Sequence, residues 1–163
     1  HKGLYWSKVK GTEQAKTIEP AEDYIIPFGK GRIALEADNI ENTICIVTYG
    51  MGVHWALNAA KNHKGKVEVL DLRTVRPLDV ESIIATVEKT GKALIVYEDN
   101  QALGIGSEVS ALISQHAFEY LDAPVIRLGG PEVPAMPFSP PLEDMFMIGP
   151  EKISTAIKEL AEY

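Results

Sequence analysis

The sequence predicts an α/β domain: a three-layer α/β/α sandwich around about five mostly parallel strands, with one edge strand free to run antiparallel. Three observations carry that reading. β-Branched apolar runs at 43–48, 67–72 and 93–97 have the pattern of strands buried on both faces. Segments between and after them place apolar residues at i, i+3, i+4 and i+7, the period of amphipathic helices. Strand–helix alternation of this kind builds a parallel sheet covered on both sides.

The elements follow in order. Residues 1–30 read as an interdomain linker or arm, and 31–163 as the domain. In the arm Lys2, Lys8, Lys10, Lys16, Glu13, Glu19, Glu22 and Asp23 are scattered without period. Leu4-Tyr5-Trp6 is an apolar knot expected to pack on this domain or another, and Gly29-Lys30-Gly31 is a turn signal. Arg32 to Glu36 alternates, as an edge strand does. Thr43 to Thr48 is a buried strand, broken by Gly50-Met51-Gly52. A helix to about Asn62 shows Val53, Ala56, Leu57 and Ala60 on one face, and Gly65 ends it. After the strand Val67 to Leu72 comes the clearest helix, with Val80, Ile83, Ile84 and Val87 in phase. Asp79 suits its amino cap, Glu81 its first turn and Gly91 its stop.

Ala93 to Tyr97 is the third buried strand and ends in Glu98-Asp99-Asn100. The loop 101–106 leads to a helix capped by Ser107, whose inner face is Val109, Leu112, Ile113, His116 and Ala117. Asp122-Ala123-Pro124 turns into a strand at Val125 to Leu128. Residues 129–150, rich in proline, read as a long ordered loop in which Phe138, Leu142, Met145, Phe146 and Met147 need cover. Gly149-Pro150 opens the last helix, with Pro150 at its first position and Ile153, Ala156, Ile157 and Leu160 as its buried stripe.

Composition narrows the function. The chain has 163 residues, 45% of them hydrophobic, which suffices for a proper core. A net charge of −7 argues against nucleic acid or an anionic membrane as partner and suits a basic one. No apolar run reaches the ~18 residues of a membrane helix. The single cysteine, Cys45, lies in the run Ile44-Cys45-Ile46-Val47, so a buried reduced thiol is expected and a disulfide framework is not. A start at His1, without methionine, leads us to expect part of a longer polypeptide.

The motifs are weak as chemistry. Gly50-Met51-Gly52 follows a strand as a dinucleotide fingerprint would, but Trp55 stands at the third glycine position, where an indole blocks close packing; a tight turn competes. Gly104-Ile105-Gly106 precedes a helix whose free amides suit an anion, or is simply a turn. His54 lies near a strand end and could face a cleft, whereas His116 suits a satisfied core or interface position. Spacings for a metal site, a nucleophile elbow or a P-loop do not occur. Arg73, Arg76 and Asp79 form a group able to grip a phosphate or carboxylate. Equally, Asp79 caps its helix while the arginines pair with Asp71, Glu98 or a neighbouring subunit.

Four segments, in order, carry a family resemblance. They are Val47-Thr48-Tyr49-Gly50-Met51-Gly52, then Asp71-Leu72-Arg73-Thr74-Val75-Arg76-Pro77-Leu78-Asp79, then 117–125 with Arg127, and Gly130-Pro131-Glu132-Val133-Pro134-Ala135-Met136-Pro137-Phe138. Together they resemble the transketolase C-terminal-like domain of thiamine-diphosphate enzymes. The β subunit of the 2-oxoacid dehydrogenase decarboxylating component, of the pyruvate and branched-chain 2-oxoisovalerate type, is the best match. Leu4-Tyr5 and Ile26-Pro27-Phe28-Gly29-Lys30-Gly31 resemble the segment joining the halves of such a subunit. Two loops depart from the pattern: Leu103-Gly104 stands where a glycine pair is usual, and Ala135 is an extra residue.

The resemblance implies a parent enzyme that decarboxylates a 2-oxo acid on thiamine diphosphate with magnesium and passes the acyl group to a lipoyl acceptor. It places the cofactor on the alpha chain, or a fused alpha half, and on the beta chain's amino-terminal domain. This fragment is then expected to be inactive alone, with no catalytic, cofactor-binding or metal residue. Its implied role is to pair with a second beta chain and to dock the acyltransferase's small basic binding domain, in the cytoplasm or, in a eukaryote, the mitochondrial matrix. Asp122 and Tyr163 are the docking candidates, while Arg73, Arg76, Asp79, Glu98 and His116 take structural or interface roles. Two alternatives stand beside this: the same domain of another transketolase-like enzyme, or an α/β module binding a small ligand or nucleotide at strand ends near Gly50, Arg73 and Glu98.

Overall fold

The chain is seen in a computed structural model that describes residues 19–38 and 41–163, so the expected Leu4-Tyr5-Trp6 knot lies outside the described residues. Five strands form one sheet: β1 (Arg32–Leu35), β2 (Ile44–Thr48), β3 (Val67–Asp71), β4 (Ala93–Asn100) and β5 (Ile126–Gly130). Their order across the sheet is β1-β3-β2-β4-β5. β1 runs antiparallel to β3 at the edge, and the other pairs are parallel. Among the described residues five α-helices follow the chain: α1 (Met51–Ala60), α2 (Val80–Thr90), α3 (Ile105–His116), α4 (Pro140–Phe146) and α5 (Gly149–Ala161).

The β-branched runs explain the layering. Successive side chains point to opposite faces, so Ile44 and Ile46 enter one core with Ala56 and Ala59 of α1 and Ile153, Ile157 and Leu160 of α5. Cys45 and Val47 enter the other, with Ile83 and Val87 of α2 and Val109 and Ile113 of α3. β2 is buried throughout because both faces are covered. Burial pushes the Cys45 thiol up to about 12, which matches the expected inert, reduced cysteine.

The helix stops are chemical. The Asp79 carboxylate accepts a hydrogen bond from Ser82 N at the start of α2, and Gly91 ends it in the left-handed conformation, as expected. Three expectations are corrected. α3 begins at Ile105 with Gly104 at its cap, and the Ser107 hydroxyl bonds the Gln101 carbonyl and Arg127 instead. The segment 129–150 is not all loop, since Pro140-Pro141 opens the short α4; on the single chain Phe138, Leu142 and Met145 are exposed. Finally, α5 starts at Gly149, which puts Pro150 second.

Because the sheet is parallel apart from β1, it has a carboxyl edge, where β2–β5 end, and an amino edge, where they begin. Each of the sequence-derived residues falls on one of the two.

Candidate functional site

At the carboxyl edge, the segment after β3 grips the incoming arm. Asp79 is buried, and its Oδ2 accepts from Gly31 N at 2.8 Å and from the Ser82 hydroxyl at 2.8 Å. Burial alone would raise this carboxyl, but the donors from Gly31 and Ser82 hold it below the usual carboxylate range. The Thr74 hydroxyl accepts from Gly29 N at 2.9 Å and donates to the Pro77 carbonyl at 3.0 Å. Asp71 accepts from Arg73 N at 3.0 Å and faces Arg32 Nη2 at 3.7 Å. The acids of the motif therefore serve the fold.

Of the partners expected for the arginines, Asp71 is engaged elsewhere. Asp71 is taken by Arg32 of β1, and neither Arg73 nor Arg76 has an ion pair among the described residues. Arg73 holds a left-handed backbone, φ 56°, and Arg76 is exposed. Arg73, Arg76 and Asp79 are thus neighbours without forming one anion-gripping group. Sequence reasoning missed Thr74 and the glycines of the arm; the shared turn signal Gly29-Lys30-Gly31 was the available clue.

Glu98 stands near the end of β4, half-buried in a small apolar cavity of about 190 Å³ with Trp55, Gly130, Met136, Phe146, Met147 and Ile148. Burial raises its carboxyl above the ordinary value. Next to it, Asp99 Oδ1 accepts the Asn100 amide. Burial and the nearby Asp99 and Glu98 charges raise the Tyr49 phenol across the crevice. Among the described residues no group of three metal-type side chains gathers. A carboxyl in an apolar cavity beside one engaged in its own turn does not fit a magnesium diphosphate.

The glycines before α3 are structural. A Cβ on Gly106 would lie 2.0 Å from Tyr97 Cε1, and one on Gly104 or Gly129 2.9 Å from the same ring. Tyr97 is buried and its hydroxyl donates to the Gln101 carbonyl at 3.2 Å. The turn reading of Gly104-Ile105-Gly106 therefore holds. At Gly50-Met51-Gly52, Gly50 has φ 58° and Gly52 packs on Thr48, again a tight turn. His54 is half-buried, and burial lowers its imidazole.

At the amino edge the structure brings Asp122 and Tyr163 together. Both line a cavity of about 550 Å³ with Phe118, Leu121, Pro124 and Val125. Asp122 also borders a second, polar cavity of about 410 Å³, with Glu41, Glu88, Lys89, Lys92 and Tyr120. Its amide donates to the Gly91 carbonyl at 2.8 Å, while its side chain is exposed. Lys92 is buried and its ammonium has no hydrogen-bond partner among the described residues. Buried Glu68 nearby pairs with Lys89. His116, expected on the inner face of α3, is instead its exposed last residue, where a basic side chain suits the helix end. The aromatic pair Phe118 and Tyr120, exposed on the turn after α3, was missed by the sequence reading.

Comparisons with known proteins bear on the family and the fold. Residues 33–153 match the family described as "Transketolase, C-terminal domain". The chain is 48% identical over 163 residues to the "2-oxoisovalerate dehydrogenase subunit beta" of Bacillus subtilis, covering 98% of this chain and 49% of that protein. It is 32% identical over 148 residues to the "Pyruvate dehydrogenase E1 component subunit beta" of Rhizobium meliloti, covering 89% of this chain and 31% of that one. The chain thus spans half or less of the length of these relatives. A solved "Split gene transketolase, inactive beta4 tetramer" shares the fold, with TM-score 0.72 and 21% identity over 87% of this chain and 45% of that one.

Proposed function

The chain belongs to the transketolase C-terminal domain family, and from that premise we propose that it is the carboxyl-terminal half of the β subunit of a thiamine-diphosphate-dependent 2-oxoacid dehydrogenase. In this reading the whole enzyme acts on a 2-oxo acid with magnesium and a lipoyl acceptor, and its cofactor is held by the alpha chain and the rest of the beta chain. The domain pairs beta chains and docks the acyltransferase's binding domain, in the cytoplasm or a mitochondrial matrix. Residues 1–30 join it to the other half.

One observation carries the docking role: Asp122 and Tyr163, far apart in sequence, line one cavity bordered by exposed aromatics. An exposed carboxylate between an apolar groove and a polar cavity suits a basic helix, which would be steered by charge. Asp122→Lys tests this. Capture of the binding domain at low salt should weaken by ~1–3 kcal/mol, the scale of a lost charge-assisted contact, with the melting temperature unchanged. Equal capture by the substituted chain removes Asp122 from the surface. Calorimetry with thiamine diphosphate and magnesium should give no saturable signal; micromolar binding would move the cofactor site onto this domain.

The pairing surface is the exposed apolar segment around Met136, Phe138 and Met145, continuous with Phe146 and Met147. A monomer rarely exposes so many large apolar side chains together. The alternative, a ligand-binding module at the strand ends near Gly50, Arg73 and Glu98, is answered by thermal shift with nucleotides, which stays flat in our reading.

A further inference from the structure

The helices α1 and α5 pack on each other, and a groove of about 850 Å³ opens between them. Asn58, Lys61 and Asn62 line it from the end of α1, and Glu151, Ser154 and Lys158 from α5. It shares no lining residue with either cavity beside Asp122. Its charges are separated. Asp144 and Glu151 stand where α5 begins, and Lys158 lies two turns further on, about 10 Å along the helix. His63, two residues beyond Lys61, has its Nε2 2.8 Å from the Ser154 hydroxyl. Burial, with the charges of Lys158 and Lys66, holds its imidazole below the ordinary value, so both lysines belong to this corner.

One lysine of the groove has a structural use. The Lys152 ammonium donates to the Met145 and Met147 carbonyls at 2.6 and 2.7 Å and closes the end of α4. Lys61, Lys66 and Lys158 are exposed, and among the described residues none of them makes an ion pair. The last turn of α5 suits one cation, Lys158, but Lys66 lies outside any helix. On a chain of net charge −7, three ammonium groups left without a carboxylate at one corner are a local reversal of sign. Spread around an open groove, they match several singly charged groups in a row better than one compact ion, which a small-molecule site would enclose. The Asn58 and Asn62 amides offer donors and acceptors to an extended backbone. The net charge of the whole chain disfavours a long polyanion such as nucleic acid. We propose that the basic end of this groove docks an acidic polypeptide segment, with its carboxylates on Lys61, Lys66 and Lys158 and its backbone along Asn58 and Asn62.

The test titrates a short fluorescent oligoglutamate into the whole chain at low salt, beside an oligoglutamine of equal length, inorganic pyrophosphate and single-stranded RNA. Only the oligoglutamate should saturate. Lys61→Gln with Lys158→Gln should raise its Kd about tenfold, the scale of two exposed charges lost, with the melting temperature unchanged. Arg73→Gln with Arg76→Gln alters the net charge equally at the carboxyl edge and should leave the Kd as it was. Bound peptide should also lift the titration of His63, read by nuclear magnetic resonance, because its carboxylates offset Lys158 and Lys66. Equal losses in the two double variants would reduce the binding to general charge attraction and overturn the inference. An unmoved His63 titration puts the peptide elsewhere and overturns it too. So does an oligoglutamate that fails to saturate or is matched by oligoglutamine, and tighter binding of pyrophosphate or RNA assigns the groove to another class of ligand.

Discussion

The two edges of one sheet carry different surfaces. The carboxyl edge offers apolar side chains from separate connections: Phe28 on the arm, Leu103 after β4, and Phe138 and Met145 after β5. Beneath them the backbone is fixed, by Asp79 and Thr74 on one side and by the glycines around Tyr97 on the other. The amino edge mixes exposed aromatics with carboxylates: Phe118, Tyr120 and Tyr163 beside Glu41, Glu88 and Asp122. A preformed apolar surface suits a lasting contact, since little ordering entropy remains to be lost on association. A charged one suits a partner that comes and goes, since charge sets association rate and salt response more than raw affinity.

The largest expected effect breaks the rigid half of that contrast. Gly106→Ala sets a methyl 2.0 Å from Tyr97 Cε1, and the ring, buried and gripped by Gly104 and Gly129, has nowhere to go. A loss of about 3 kcal/mol is expected, at the top of the range for overpacking. That corresponds to a melting point lower by roughly 6–12 °C. Tyr97→Leu in the same chain should recover part of it, and circular dichroism melts of both decide whether the ring is the obstacle.

Next in size is Asp79→Ala, at about 2 kcal/mol, because it strips the cap from α2 and leaves Gly31 N without its acceptor. The pH response has a definite sign. Asp79 titrates lower in the folded chain than unfolded, so its contribution is complete above the unfolded value near pH 4 and fades as pH falls through the depressed one. Protection of the Gly31 amide, relative to its intrinsic exchange rate, should therefore fall below about pH 4, and should be low at neutral pH in Asp79→Ala. Protection that persists in the variant would detach the arm from this carboxylate.

What the sequence disclosed of this contrast follows from the range of the forces involved. The strands were legible because β-branched runs report burial on both faces, and the Asp79 cap because capping spans three residues. α4 was obscured by proline, although Pro140-Pro141 after Ser139 is a helix-opening pattern. His116 was assigned inward because it follows Leu112 and Ile113 at helical spacing, but α3 ends there, and Ser114, Gln115 and His116 are exposed while Ile113 stays buried. The Tyr97 contacts and the Asp122–Tyr163 cavity join residues distant in the chain, and no local pattern encodes them. Asp122 and Tyr163 were reachable only through the family resemblance.

Salt sharpens the comparison. Raising ionic strength from 0.05 to 0.5 M shortens the screening length severalfold. Docking at the Asp122 edge should then weaken by about tenfold, or 1.4 kcal/mol, while pairing through the exposed apolar segment around Met136, Phe138 and Met145 should hold or strengthen. Parallel titrations of the two contacts in one buffer series read this directly. Equal salt dependence at both edges would mean that the apolar and charged surfaces have been assigned to the wrong partners.

The smallest expected effect falls on Arg73 and Arg76. Arg73→Ala and Arg76→Ala should each change stability by less than about 0.5 kcal/mol, as surface substitutions away from caps and cores do. Both lack an ion pair among the described residues, and alanine keeps the Cβ, so the left-handed backbone at Arg73 is strained to the same degree before and after. The contrast with Asp79, three to six residues away, separates two uses of one motif. Its acids bind the arm and the helix, and removing them costs the fold; its arginines, Arg76 exposed and Arg73 partly so, make no ion pair among the described residues. Chemical denaturation of the double variant measures this. A loss above 1 kcal/mol would show that the guanidinium groups hold this chain together, and would return Arg73 and Arg76 from the surface to the clasp.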